Sequence, residues 1–270
     1  MPASGRTALI QSLRADVARL ERRVPQPDGT TAVPFGLAAL DAALSGGGLP
    51  RGALHEAVGA GSDTGHGAAA AIFAAAVLAR AGGPVLWVSA QFDLFAPALA
   101  GVGLPPERVI HVEAGRDVLA AMEEGLRHQG LTGVVGEIAG RLALTPSRRL
   151  HLAAEATGAL AFAIRRPARP DDPVLAEPNA AMTRWRITPL PSAPPLPHAP
   201  EVPGLGRAQW RLDLLRVRGG APSSWIVEAP DAQGHLALAV DLADRSADAA
   251  PQRGFHETPL RRVLRQRAAG

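Results

Sequence analysis

Residues 59–67, GAGSDTGHG, match a phosphate-binding loop in glycine content and in their place between an apolar run and a long helix-forming segment. A working loop, GxxxxGK[ST], surrounds phosphates with backbone N–H groups, reaches them with a lysine and holds magnesium with a hydroxyl. Gly59, Gly61 and Gly65 could supply the N–H groups. His66 stands where the lysine is needed, and Gly67 stands where the hydroxyl is needed.

The chain cannot supply the missing lysine from elsewhere, because all 28 of its basic side chains are arginine. Neutral histidine is too short and too weakly basic to replace it. We interpret the loop as a strand-to-helix turn that has lost phosphate chemistry, and we expect no cofactor, ATP and magnesium included. Residual nucleotide binding stays open as the alternative, since a helix N-terminus attracts anions without lysine.

Composition narrows the function classes further. The 270 residues are 47% hydrophobic, enough for one substantial core and a smaller appendage. The chain has no cysteine, its eight histidines are scattered, and its net charge is only +3. These features predict no disulfide and no metal site. The modest net charge does not by itself establish a nucleic-acid binder, so direct contact with DNA stays open. No apolar run reaches the length of a membrane span, so we expect a cytoplasmic protein without membrane contact.

Strands and helices alternate through the first two thirds of the chain, which predicts a parallel sheet flanked by helices. The predicted strands are 53–59, 84–90, 108–114, 131–138 and 158–164, and the predicted helices are 67–81, 92–101, 116–129 and 146–157.

The core and the segments on either side of it divide the chain into four predicted regions. Residues 1–32 hold an amphipathic helix and linker, 33–180 the α/β core, 181–244 a β-rich extension, and 245–270 an arginine-rich tail. The extension contains β-like runs at 182–190, 208–218, 223–229 and 234–240, and seven prolines between Pro189 and Pro203 interrupt it.

The segment PFGLAALDAALSGGGLPRGALHEAVG (34–59) resembles the part of the RecA recombinase family that leads into its phosphate loop. The resemblance continues through PVLWVSAQFDL, where RecA-type proteins carry a catalytic glutamate and this chain has Gln91. An amide cannot act as a general base. The family's strand-end aspartate has no clear counterpart, although Gly136 and Glu137 lie nearby.

A closer resemblance, to the ImuA family of RecA-like mutagenesis accessory proteins, covers most of residues 34–230. The segments that carry it include GLPPERVIHVEAG (103–115), MEEGLRHQGLTGVVGEIAG (122–140), SRRLHLAAEATGALAFAIRR (147–166) and PGLGRAQWRLDLLRVRGGAPSSWIVE (203–228). The resemblance implies a RecA-like core and a damage-induced, SOS-type role in translesion synthesis. It also implies partnership with ImuB and an error-prone C-family polymerase, and contact with RecA filaments.

We therefore expect a non-enzymatic scaffold of translesion DNA synthesis. Two alternatives stay open: a RecA-like DNA-dependent ATPase that uses His66 or a partner's arginine, and an SOS cell-division inhibitor.

Gln91, Leu94 and Phe95 belong to QFDLF (91–95), which looks like the pentapeptide that polymerases and repair factors insert into the bacterial sliding clamp. Because the segment follows a predicted buried strand, we favour a packing role in which Phe92, Leu94 and Phe95 hold a helix on the sheet.

Arginines and tryptophans form the remaining candidate contacts. Trp185, Trp210 and Trp225 lie on predicted strands beside arginines, an arrangement that can stack single-stranded bases. Strand alternation instead favours tryptophans in the core of the small domain and arginines on its surface. Candidate partner or nucleic-acid contacts are Arg148, Arg149, Arg261, Arg262, Arg265 and Arg267, to which the strand-end pair Arg165 and Arg166 is added.

Overall fold

The structure of the chain, a computed structural model, describes residues 32–167, 172–192, 194–196, 199, 201–202, 204 and 206–239. The predicted N-terminal helix and the basic tail lie outside the described residues, and so do Arg261, Arg262, Arg265 and Arg267.

Most strands belong to one nine-stranded sheet. A separate two-stranded antiparallel sheet pairs β1 with β2. The strands are β1 Ala32–Val33, β2 Leu49–Pro50, β3 Ala53–Gly59, β4 Val85–Ser89, β5 Val109–Glu113, β6 Gly133–Ala139, β7 Leu160–Arg166, β8 Thr183–Leu190, β9 Gln209–Val217, β10 Ser223–Glu228 and β11 Ala237–Leu238.

The large sheet has the order β11-β10-β9-β8-β3-β7-β6-β4-β5. All pairings from β8 through β3 to β5 are parallel, and the pairings from β8 outward to β11 are antiparallel. The predicted parallel sheet with a strand-rich C-terminal part is confirmed. β9 and β10 pair as an antiparallel hairpin, and the loop between them overlaps the segment GGAPS (219–223).

Five described helices connect or cover these strands: α1 Ala38–Asp41, α2 Asp63–Ala81, α3 Ala96–Ala100, α4 Val118–Leu126 and α5 Leu144–Thr157. Short 3₁₀ turns occupy Pro106–Arg108, Gly115–Asp117 and Pro173–Leu175. α2 begins at Asp63, earlier than the sequence predicted, so the second half of the glycine-rich segment is helical. The predicted helix 92–101 is reduced to α3, and residues 91–95 lie outside any helix or strand.

Alternate residues of the central strands separate the core into two apolar layers. Leu160, Phe162 and Ile164 of β7 face the layer that contains α2. Ala161 and Ala163 face the layer that contains α4 and α5. This alternation decides which strand-end side chains can meet beneath α2.

The tryptophans belong to this shared core rather than to a separate small-domain core. Trp185 is fully buried, with its ring centroid 5.4 Å from that of Phe73 in α2 and 5.6 Å from that of Phe35. Arg184 is also withdrawn from the surface, because it is paired with the buried Glu56. The expectation that these arginines lie on the surface is wrong for Arg184.

Among the described residues, no helix is long and apolar enough to cross a membrane. The same part of the chain contains no group of His, Asp and Glu side chains arranged to hold a metal ion.

Candidate functional site at the glycine-rich loop

The connection from β3 to α2 is only three residues long, Ala60 to Ser62. Ala60 donates its N–H to the Ile187 carbonyl at 3.0 Å, and Gly65 and His66 both donate to the Ser62 carbonyl, at 3.1 and 3.0 Å. Three N–H groups of the segment are therefore already bonded within the protein. A phosphate cradle would present such groups to a ligand.

Two of the glycines lie against His66: Gly59 faces its backbone and Gly61 faces its imidazole ring. A Cβ at Gly59 would lie 2.3 Å from the His66 carbonyl oxygen, and a Cβ at Gly61 would lie 2.2 Å from His66 Nδ1. The imidazole thus rests against the loop backbone. Gly65 differs, because a Cβ there would meet only Ser62 Oγ, at 3.6 Å.

Arg166, the last residue of β7, lies beside the start of α2 and binds three carboxylates. Its Nε donates to Asp63 Oδ2 at 2.7 Å, its Nη2 donates to Asp93 Oδ2 at 2.6 Å, and its Nη1 donates to Glu137 Oε2. Trp87 completes the arrangement by donating its indole N–H to Glu137 Oε1 at 2.8 Å. We call Arg166, Asp63, Asp93 and Glu137 the Arg166 cluster.

Strand parity explains why these groups meet. Arg166 follows Phe162 and Ile164 at intervals of two residues, and Glu137 follows Val135 in the same way, so all point toward α2. Asp63 is the first residue of α2, and Asp93 follows the end of β4. The carboxyl ends of adjacent parallel strands thus bring the cluster together at the edge of the sheet where α/β folds bind ligands.

Burial and charge act in opposite directions within the cluster. Burial raises the pKa of Glu137, while the hydrogen bond from Trp87 and the charge of Arg166 lower it in part. Burial alone would lower the pKa of Arg166, but its bonds to Asp93 and Asp63 raise that pKa overall. Arg166 therefore stays charged and holds the carboxylates in place.

The Arg166 cluster lies at the N-terminus of α2, the end of the glycine-rich segment at which a phosphate-binding loop would hold its ligand. A helix N-terminus favours one anion, and here that anion is the carboxylate of Asp63. One guanidinium faces three carboxylates, so the side chains of the cluster carry excess negative charge. Gln91 is exposed and offers only an amide.

A second ionic cluster lies on the other face of the sheet. Glu56, 1% exposed, accepts hydrogen bonds from Arg165 at 2.6 Å, from Arg184 at 2.5 Å and from Asn179 at 2.9 Å. Arg165 also donates to the Gly140 carbonyl. Arg165 and Arg166, adjacent in sequence, thus point to opposite faces, and both are bound to the protein's own carboxylates.

Of the predicted contact residues that the structure describes, Arg148 and Arg149 join neither cluster. Arg148 and Arg149 are exposed on α5, where Arg149 is paired with Glu123 at 2.7 Å. The prediction that QFDLF packs a helix onto the sheet is wrong for its aromatic residues, because Phe92 is 60% and Phe95 is 70% exposed. Only Leu94 packs partly against the core.

The strand order and the connection from β3 to α2 give the chain a RecA-like fold. The crystal structure of the RadB recombinase shows the same fold, with a TM-score of 0.53 and 14% sequence identity over 76% of this chain and 98% of that one. No protein-family model matches the chain.

Sequence comparison then gives the family. The chain is 40% identical over 237 residues to Protein ImuA of Caulobacter vibrioides strain NA1000 / CB15N, a match covering 82% of this chain and 94% of the Caulobacter protein. Protein ImuA of the strain ATCC 19089 / CIP 103742 / CB 15 matches equally. The chain belongs to the ImuA family.

The carboxylate partners of Arg166 are the part of this site that sequence reasoning missed. The alternation of side chains along the strands could have predicted part of it, because residues 137 and 166 share a sheet face with Val135 and Ile164. Asp63 and Asp93 could not be placed in the same way, since both lie outside the strands.

Proposed function

We propose that the chain is a non-catalytic scaffold of damage-induced, SOS-type mutagenesis, which assembles ImuB and an error-prone C-family polymerase for translesion synthesis. Membership of the ImuA family supports an accessory role in mutagenesis. The Arg166 cluster supports the non-catalytic part of the proposal, because three carboxylates around one guanidinium at the N-terminus of α2 disfavour the approach of a triphosphate.

The alternative function is a RecA-like ATPase, which the fold favours. It requires the cluster to open and a partner to provide the missing cation, because His66 lies against the loop backbone. Arg166 would also have to release the Asp63 carboxylate before phosphates could reach the N-terminus of α2.

Calorimetric titration of the purified chain with ATP and magnesium separates these two functions. The scaffold proposal expects no binding below the millimolar range and no phosphate release, with and without single-stranded DNA. Saturable micromolar binding, or magnesium-dependent turnover that ImuB or the polymerase stimulates, would establish the ATPase instead.

Assembly is tested by reconstitution with purified ImuB and the C-family polymerase. A stable complex on gel filtration without nucleotide is the expected result, and His66→Ala should leave it intact. Deletion of residues 1–31 or of residues 240–270 then shows whether either end carries a partner contact. Failure of the unchanged chain to bind either partner under these conditions contradicts the scaffold role.

A further inference from the structure

The segment 91–95 presents aromatic side chains to solvent for which the fold gives no use. It follows β4 and precedes α3 without forming either element, and Phe95 has extended backbone angles, φ −83° and ψ 91°. Phe92 lies at the edge of the sheet, with its ring centroid 5.3 Å from that of His111 and its side chain 60% exposed. Exposing two phenylalanines within four residues is costly unless a partner covers them.

The order of side chains indicates what kind of partner would cover them. An exposed amide is followed by an aromatic ring, a carboxylate, a leucine and a second aromatic ring. This is the order that makes QFDLF resemble a sliding-clamp ligand, and such ligands are extended and accessible. Gln91, Phe92 and Phe95 are accessible as the segment stands. Phe95 is also extended, whereas residues 91 and 92 form a bend in which the Asp93 N–H donates to the Gln91 carbonyl at 3.1 Å, and this bend must open for the whole pentapeptide to extend.

Two contacts hold the segment in place. Leu94 packs partly into the apolar layer beside α2. Asp93 accepts a hydrogen bond from Arg166 Nη2 at 2.6 Å, while its side chain stays about half exposed. The segment is therefore anchored at its third and fourth residues, while its first, second and fifth residues are accessible.

We propose that residues 91–95 are a docking peptide for the bacterial sliding clamp, with Phe95 as its main anchor and Gln91 at its polar end. Insertion requires Leu94 to leave the edge of the core, and the Asp93–Arg166 ion pair sets how easily this happens. The inference does not depend on binding to ImuB or to the polymerase, because the clamp alone is the partner.

The test is biolayer interferometry between the full-length chain and the purified sliding clamp of the same organism. Phe95→Ala should weaken binding about tenfold or more, as expected for a buried aromatic anchor. Ile110→Ala is the matched control, because Ile110 is 53% exposed on the neighbouring strand β5 and lies outside the pentapeptide. The control should change the affinity by less than about twofold.

A second measurement examines competition and folding. An unrelated peptide ligand of the clamp should displace the chain, and circular dichroism should show that both variants are folded. The proposal is overturned if the unchanged chain does not bind the clamp or if Phe95→Ala binds as well as Ile110→Ala. Sedimentation that shows self-association, lost in Phe95→Ala without any clamp binding, would assign the segment to a contact between two copies and equally overturn it.

Discussion

Alanine substitutions at two glycines of the same loop should have opposite effects on stability. Gly65 is exposed in the first turn of α2, and a Cβ there meets only Ser62 Oγ at 3.6 Å. Because alanine is the better helix former and restricts the unfolded chain, Gly65→Ala should stabilise the protein by about 0.5–1 kcal/mol.

Gly59→Ala faces a rigid obstacle. The added Cβ would lie 2.3 Å from the carbonyl oxygen of His66 and 2.6 Å from its carbonyl carbon, and both are backbone atoms. The end of β3 and the first turns of α2 must therefore separate. Overpacking of this kind costs about 1–3 kcal/mol, so the two variants should differ by about 1.5–4 kcal/mol in the free energy of unfolding.

Urea unfolding followed by fluorescence of the four tryptophans measures this difference. A phosphate-binding loop would instead need both glycines for its ligand, and ATP would stabilise the unchanged chain but neither variant. Loss of more than about 1 kcal/mol in Gly65→Ala, or an unchanged midpoint in Gly59→Ala, would refute the role assigned to these contacts.

Three other predictions concern the groups that hold the sheet and α2 in place. Glu56→Gln should destabilise the fold by about 3–5 kcal/mol, because it leaves buried arginines without their carboxylate. The control is Glu177→Gln, which removes the carboxylate from the exposed pair with Arg141 and should cost less than about 1 kcal/mol in the same urea assay. Burial lowers the pKa of His55 from 6.5 to about 4 in the folded chain. The imidazole therefore takes up its proton at a higher pH in the unfolded chain than in the folded chain. As the pH drops from 6.5 to 4, the free energy of unfolding should fall by about 3 kcal/mol. That loss should be smaller in His55→Gln, and an identical pH dependence would contradict the assignment. Arg108→Ala should lower the thermal midpoint, because Arg108 donates to three carbonyls at the C-terminal end of α2, at distances of 2.8–3.0 Å. The free energy of unfolding should fall by about 1–2 kcal/mol. An unchanged midpoint would show that these bonds do not stabilise the fold.

The alternation of apolar strands and helices was sufficient to predict the order of elements in the core. Buried strands such as 158–164 read as continuous apolar runs, and β7 occupies Leu160–Arg166. Helix starts were harder to predict. α2 begins at Asp63 because Ser62 already starts the helical hydrogen bonds, whereas the glycines at 65 and 67 suggested a longer loop.

For the candidate site, the sequence predicted only which catalytic groups are missing. The missing lysine and the amide at Gln91 are visible in the sequence. The ion pairs of Arg166 are not visible, because they join residues from 29 to 103 positions apart. The exposure of Phe95 was also mispredicted, since apolar residues after a buried strand usually continue into the core.

The position of β3 has a consequence for how the chain folds during synthesis. This strand lies between β7 and β8, so both of its neighbours are made more than 100 residues after it. Until Leu190 has left the ribosome, one edge of an apolar strand stays open to other nascent chains. Truncated products that end before Thr183 should therefore aggregate, and holdase chaperones are expected to bind the growing chain over this interval.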